Sequence, residues 1–186
     1  MTHEIIFAGF GGQGVLLMGQ LVAYAAMLEG KQVTWFPSYG AEMRGGTANC
    51  AVVVSDGPVG SPVVSEPTAL VVMNRPSLDR FLPRLRPGGV LVYNSSLIEI
   101  EPGRREVEIV PVPANEIAAE LGETRVANMV ALGALLCMTP VVETGDVMQA
   151  LAKALPKHRQ ALLPLNERAL AMGRSIAAAR RAGSTA

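Results

Sequence analysis

A chain of 186 residues is long enough for one domain with a real core, and 49% hydrophobic against 17% charged residues excludes disorder. Sixteen Lys and Arg balance sixteen Asp and Glu, and aromatic residues are only 4%, which argues against a binder of nucleic acid or anionic membrane. A mean hydropathy of +0.31 is high for a soluble monomer and points to apolar surface covered by a partner.

In chain order, Glu4 to Ala8 is a short apolar strand running into Gly9-Phe10-Gly11-Gly12-Gln13-Gly14. A helix follows from Val15 to Glu29 and stops at Gly30. Gln20 and Glu29 interrupt its apolar run, so it is no transmembrane span, and the start Met1-Thr2-His3-Glu4 lacks the positive region of a signal peptide. Gln32 to Phe36 reads as a second strand broken by Pro37. A glycine-rich stretch from Ser38 to Asn49 leads to a strand at Cys50 to Val54. Further strands are predicted at Ala69 to Met73, Val90 to Tyr93 and Glu106 to Val112. A helix at Pro76 to Leu85 has Asn74 near its start and Pro87-Gly88-Gly89 as its stop. The remainder reads as helices at Ala114 to Leu121, Asn128 to Met138, Gly145 to Leu155 and Pro164 to about Ala182. Thr144 is the expected N-cap of the third and Pro164 a first-turn proline of the last. The pattern predicts a single α/β layered domain over residues 1–186, with a mainly parallel sheet, a helical C-terminal part and a frayed tail at 183–186. Cys50 and Cys137 read as reduced thiols, which suits a cytoplasmic protein.

The first helix is apolar on nearly every side and therefore buried on nearly every side. One side faces its own sheet. The other is covered either by the C-terminal helices or by another chain, and the latter predicts self-association of the isolated protein.

Gly9-x-Gly11-x-x-Gly14 follows a strand and opens a helix, the setting of a phosphate-cradling turn. A dinucleotide site also needs an acid at the end of the second strand, and Trp35-Phe36-Pro37 supplies none before Glu42. Two readings of the turn stand: a ligand site at Gly9, Gly11, Gly12, Gln13 and Gly14, or a tight strand-to-helix turn that binds nothing. If the first two strands are parallel neighbours, the stretch from Phe36 to Cys50 lies beside this turn. Arg44 then presents a fork of donors to a carboxylate or phosphate, and Ser38 and Thr47 add hydroxyls. The alternative is that Glu42 and Arg44 form a solvated or interface pair. His3 and His158 stand far apart and two cysteines cannot hold an ordinary iron–sulfur cluster, so no metal ligands and no catalytic residues are assigned. Ser55-Asp56-Gly57 lacks the first glycine of a thiamine diphosphate motif.

The sequence resembles the gamma subunit of the 2-oxoacid:ferredoxin oxidoreductases. The resemblance rests on Gly9 to Gly14, the run from Phe36 to Cys50 with Ser-Tyr-Gly-x-Glu-x-Arg-Gly-Gly at its centre, and Gly60-Ser61-Pro62. It extends through Met73-Asn74-Arg75-Pro76-Ser77-Leu78, Asn94-Ser95-Ser96-Leu97-Ile98 and Asn128-Met129-Val130-Ala131-Leu132-Gly133. It implies a subunit of an enzyme that decarboxylates a 2-oxoacid oxidatively, forms an acyl-CoA and passes electrons to ferredoxin. Thiamine diphosphate, Mg and iron–sulfur clusters are then expected on alpha-, beta- and delta-type partner subunits, with this domain beside the active site receiving coenzyme A. The Asn74 and Asn94 motifs are most similar to the branches acting on 2-oxoglutarate or branched-chain 2-oxoacids. The competing readings are a free-standing nucleotide-binding oxidoreductase and a purely structural assembly module.

Overall fold

In the computed structural model, which describes residues 1–39, 46–99 and 102–183, the described strands form one six-stranded sheet. They are β1 (Thr2–Phe10), β2 (Gln32–Tyr39), β3 (Thr47–Ser55), β4 (Ala69–Val72), β5 (Val90–Asn94) and β6 (Glu108–Val112), in the order β2-β3-β1-β4-β5-β6. β1, β4, β5 and β6 are successive parallel neighbours, whereas β3 is antiparallel to both β1 and β2. Only β3 runs against the rest, so the sheet is mainly parallel, as the sequence predicts.

The expected pairing of the first two strands is corrected. β2 and β3 form an antiparallel hairpin, and β3 lies between β2 and β1, with Phe10 opposite Thr47 and Thr2 opposite Ser55. The inner place falls to the more apolar strand: Ala48, Cys50, Val52 and Val54 of β3 are all buried on one face. β2 carries Gln32, Thr34 and Pro37 and takes the edge. Pro37 accordingly does not break β2, which continues to Tyr39, because an edge strand tolerates a residue with no N–H to donate.

Strict alternation divides the apolar side chains between two cores. Ile5 and Phe7 of β1, Val71 of β4, Val92 of β5 and Val110 of β6 point to the larger core. Ile6, Ala8, Leu70, Leu91 and Tyr93 point to the smaller one. α1 (Val15–Leu28), α3 (Ala114–Glu120), α4 (Ala127–Met138), α5 (Thr144–Ala154) and α6 (Leu163–Gly183) contribute to the larger core, and the short α2 (Arg75–Phe81) contributes to the other. The helix expected from Pro76 to Leu85 changes to a 3-10 turn at Leu82–Arg84, where Pro83 supplies no N–H to an α-helical ladder. Gly30 closes α1, with the amides of Gly30 and Lys31 returning to Met27 O and Ala26 O. Thr144 is not the expected N-cap: Glu143 occupies that position and Thr144 is already helical, its hydroxyl accepting from Arg174. Pro164 is the second residue of α6 and Gly183 its last, and the rest of the expected tail lies outside the described residues.

α4 is buried all round, and α6 covers it at a crossing made by two glycines. A Cβ on Gly133 would lie 2.0 Å from Leu170 O, and one on Gly173 would lie 1.8 Å from Val130 O. Gly173→Ala therefore forces two backbones apart, at a cost of about 1–3 kcal/mol or more. The expected melting temperature falls by about 2–4 °C for each kcal/mol, while Gly145→Ala, where nothing lies within 4 Å, leaves it nearly unchanged. Equal midpoints for the two variants in thermal denaturation would refute the crossing.

Candidate functional site at the carboxyl edge of the sheet

The parallel strands end at one edge, and four of the motifs singled out above follow a strand there or open the helix packed on it. The turn Phe10–Gly14 leaves β1, Asn74 follows β4, Asn94 ends β5, and Asn128 stands at the start of α4. β1 and β4 are adjacent, yet β1 continues into α1 on one face of the sheet while β4 continues into α2 on the other. Such a reversal opens a crevice at the strand ends, the usual place for a ligand in an α/β sheet.

Gln13 closes the inner part of this crevice. Its Oε1 accepts from the Phe10 amide at 2.7 Å and from Asn74 Nδ2 at 3.4 Å, and its Nε2 donates to Met73 O at 3.1 Å. Gly9 makes room for it, since a Cβ there would lie 2.7 Å from Gln13 Oε1. Gly14, at φ 74, backs onto Asn128, whose Nδ2 occupies the space 2.4 Å from a would-be Cβ and donates to Gly14 O at 3.4 Å. The Gly11 amide donates to Gly46 O at 3.0 Å, tying the turn to the start of β3. Gly12 differs from the others. It is exposed, has φ 94, and nothing lies within 4 Å of where its Cβ would be. The amides of Gly12 and Gly14 donate to no described residue, and they stand at the N-terminus of α1, which favours an anion.

Thr47 and Ser38 lie on the β2–β3 hairpin at the same edge, Thr47 opposite Phe10 and Ser38 opposite Asn49. The hairpin end and the glycine turn are thus together, as the sequence suggests, but through the inserted β3 and not through direct β1–β2 pairing. Glu42 and Arg44 lie outside the described residues. A dinucleotide reading loses its geometry here, because the strand beside β1 on that side is antiparallel and brings no carboxyl end next to the turn.

Three buried asparagines line the edge. Asn74 caps α2, its Oδ1 accepting from the Ser77 amide at 2.9 Å. Asn94, with no exposed surface, donates to Asn115 Oδ1 at 2.7 Å and accepts from the Ser96 amide. Ser96 in turn caps α3 from outside the helix, its Oγ accepting from the amides of Asn115 and Glu116. The third, Asn128, is the one beneath Gly14. Asn115 carries no weight in the sequence reading. Its signal was an amide just after a proline-ended strand, near enough to the Asn94 motif to satisfy it.

Cys50 lies under the turn, buried, its thiol 3.5 Å from Val15 O; burial pushes its pKa up to about 12, against the opposing pulls of the Trp35 indole and the Gly19 backbone. Such a thiol is no nucleophile at neutral pH. The other groups with shifted protonation belong to the amino end of the sheet. Burial, then Lys31, hold His3 below its ordinary range, and Glu106 is lowered by its own backbone amide and by Arg104. Among the described residues no group of three or more His, Cys, Asp and Glu side chains is placed to hold a metal ion. No described helix is long and apolar enough to cross a membrane.

These features define an α/β domain with an anion-favouring turn at its switch point and a hairpin beside it. A family model described as pyruvate ferredoxin/flavodoxin oxidoreductase matches residues 4–176, and the chain belongs to this family, as one of its gamma-type chains. It is 46% identical over 135 residues to the ketoisovalerate oxidoreductase subunit VorA of Methanothermobacter thermautotrophicus, covering 73% of this chain but only 28% of that one. Among solved structures it superposes on the keto/oxoacid ferredoxin oxidoreductase gamma subunit of Geobacter sulfurreducens with a TM-score of 0.84 at 34% identity, covering 96% of this chain and 98% of that one. It also superposes on a 2-oxoglutarate:ferredoxin oxidoreductase of Magnetococcus marinus, which holds 2-oxoglutarate, coenzyme A and succinyl-CoA, with a TM-score of 0.87 at 27% identity. There the match covers 96% of this chain and 31% of the other.

Gln13→Leu leaves the Phe10 amide and the Met73 carbonyl without their partner, at an expected cost of about 1–3 kcal/mol. It should lower the denaturation midpoint and speed hydrogen exchange at Phe10, and unchanged exchange would show that the amide does not hold the turn. In native protein at pH 8 Cys50 should resist alkylation and react only on unfolding. Rapid labelling of Cys50 in the folded state would contradict its burial.

Proposed function

We propose that this chain acts as a non-autonomous subunit of a cytoplasmic 2-oxoacid:ferredoxin oxidoreductase and that its exposed glycine turn receives a phosphate of coenzyme A. The observation that carries the reading is the pair of amides at Gly12 and Gly14, which donate to no described residue and stand at an anion-favouring helix end beside the switch point. Coenzyme A in the similar Magnetococcus complex supports the choice of ligand. In the oxidoreductase, coenzyme A supplies the thiol that carries the acyl product. This chain's share is to bind and orient it through Gly12, Gly14, Ser38, Thr47 and Arg44. Thiamine diphosphate, Mg and iron–sulfur clusters belong to alpha-, beta- and delta-type subunits, which hand electrons to ferredoxin. The substrate is 2-oxoglutarate or a branched-chain 2-oxoacid, in keeping with the names of the similar proteins. Two free cysteines suit a reducing compartment.

A second reading has its own observation. Gln13 and Asn128 fill the inner side of the turn with protein groups, which suits a purely structural role and an Arg44 that holds the subunit interface. Arg44→Ala in the reconstituted complex separates the two. Ligand binding predicts a coenzyme A KM raised about 10-fold or more with assembly intact, as loss of a charge-assisted contact implies. The interface reading predicts dissociation, and no change in either would remove Arg44 from both. The chain alone, given coenzyme A, thiamine diphosphate, a panel of 2-oxoacids and an electron acceptor, is expected to show only background oxidation. Turnover by the pure chain would refute the subunit reading.

A further inference from the structure

α1 is sheltered on most sides, yet one stripe of it is left open. Gln20, Tyr24, Met27 and Leu28 fall on one helical face, and Tyr24, Met27 and Leu28 are 50%, 59% and 43% exposed. Two shallow depressions flank the stripe. One of about 300 Å³ lies against α5 at Ala150, Lys153 and Ala154, and one of about 230 Å³ lies against edge strand β2 at Val33 and Trp35. α5 runs antiparallel to α1. Its start is held at the end of α1 by the Glu143 amide on Glu29 Oε1, and its end reaches Gln20. The basic segment after α5 therefore begins at the end of this groove nearer the glycine turn.

The charge there is one-sided. From Leu151 to Asn166 the chain carries Lys153, Lys157, His158 and Arg159 and no acidic residue, although the whole chain has formal net charge zero. Lys31, Arg75, Arg86, Arg104 and Arg125 have carboxylate partners, whereas Lys153, Lys157 and Arg159, all exposed, have none among the described residues. Open apolar side chains with Lys153 at their border, and Lys157 and Arg159 in the segment that follows, match a protein segment that offers apolar side chains flanked by carboxylates.

We infer that the α1 stripe and the Lys153–Arg159 rim form the docking surface for an acidic, apolar segment of a partner subunit. This rests on the subunit reading given above and names the face by which the chain is held. Lys153, Lys157 and Arg159 steer and register the partner, and Tyr24, Met27 and Leu28 supply the apolar contact.

The test uses the full chain and the thiamine- and cluster-bearing subunits from the same source. Association is measured by sedimentation at several salt concentrations for wild type, Met27→Glu, and the triple variant Lys153→Glu/Lys157→Glu/Arg159→Glu. The expected result is binding weakened about 10-fold or more in both variants, a flattened or inverted salt dependence in the triple variant, and unchanged melting temperatures, since the altered side chains are exposed. If wild type assembles and both variants assemble equally well, the docking face is overturned while the subunit reading stands. If wild type itself fails to assemble, the subunit reading falls and this inference with it. Variants that alter only self-association assign the groove to a second copy of this chain. Variants that raise the coenzyme A requirement with assembly intact assign the rim to the ligand. Either outcome overturns the partner-subunit assignment.

Discussion

One side-chain amide holds the carboxyl end of the sheet together. At the switch point β1 and β4 send their chains to opposite faces just beyond the backbone bond from the Met73 amide to Ala8 O. Gln13 joins the two chains there by accepting from the Phe10 amide and donating to the Met73 carbonyl. A carboxylate cannot donate and an ammonium cannot accept, whereas the amide of Gln13 performs both tasks from one position. Gly9 is fixed by the same constraint, because its missing Cβ is where the Gln13 amide lies. What is left open to a ligand is then decided by exclusion: the Phe10 and Gly11 amides are used internally, and those of Gly12 and Gly14 donate to no described residue.

The uneven layering of the domain follows from its two cores. Five helices crowd the face built on Ile5, Phe7, Val71 and Val92, while among the described residues the other face has α2, the 3-10 turn after it and connecting segments. On the crowded face α4 is buried so completely that α6 reaches it only through the Gly133–Gly173 crossing. α1, nearer the sheet edge, receives α5 on one flank and, among the described residues, only Trp35 and Val33 on the other. An almost wholly apolar helix at the margin of a small domain retains exposed apolar surface, because surface area falls more slowly than volume as a domain shrinks. The high mean hydropathy has its structural counterpart here.

The family relation and the edge geometry bear on different levels of function. Membership in the pyruvate ferredoxin/flavodoxin oxidoreductase family comes from the match over residues 4–176, and the likeness to a gamma subunit over 96% of this chain marks it as a gamma-type chain. The individual contacts come from local chemistry: exposed amides at a helix start, hydroxyls on a hairpin, and asparagines whose amides are committed to other protein groups. Asn74, Asn94 and Asn128 are all buried and hydrogen-bonded, so their part at the edge is to set backbone positions, and the groups facing outward are elsewhere.

Much of the fold was legible in the sequence because it rests on local patterns. Apolar runs bounded by glycine and proline located the strands, and a glycine after an apolar helix marked its end. Asn74 announced α2 because an amide at that position satisfies an otherwise unpaired helix amide. The glycine turn was legible as a turn. Whether it held a ligand or a side chain was not, since Gln13 also finds partners at Met73 and Asn74, just past β4 and some sixty residues later in the chain, and spacing says nothing about that distance. The β3 insertion was hidden for a similar reason: which strand of a hairpin faces the rest of the sheet depends on the apolar row each presents once both are formed. Thr144 and Pro37 were misread by rules that hold for isolated helices and central strands, and that α6 and the sheet edge set aside. By itself the sequence determined element type, the two-faced alternation of the strands and the family to which the chain belongs, all properties of neighbouring residues or of the ordered motifs. Only the tertiary structure decided strand order, the closure of the switch point and the open face of α1, because each depends on groups that meet solely after long-range packing.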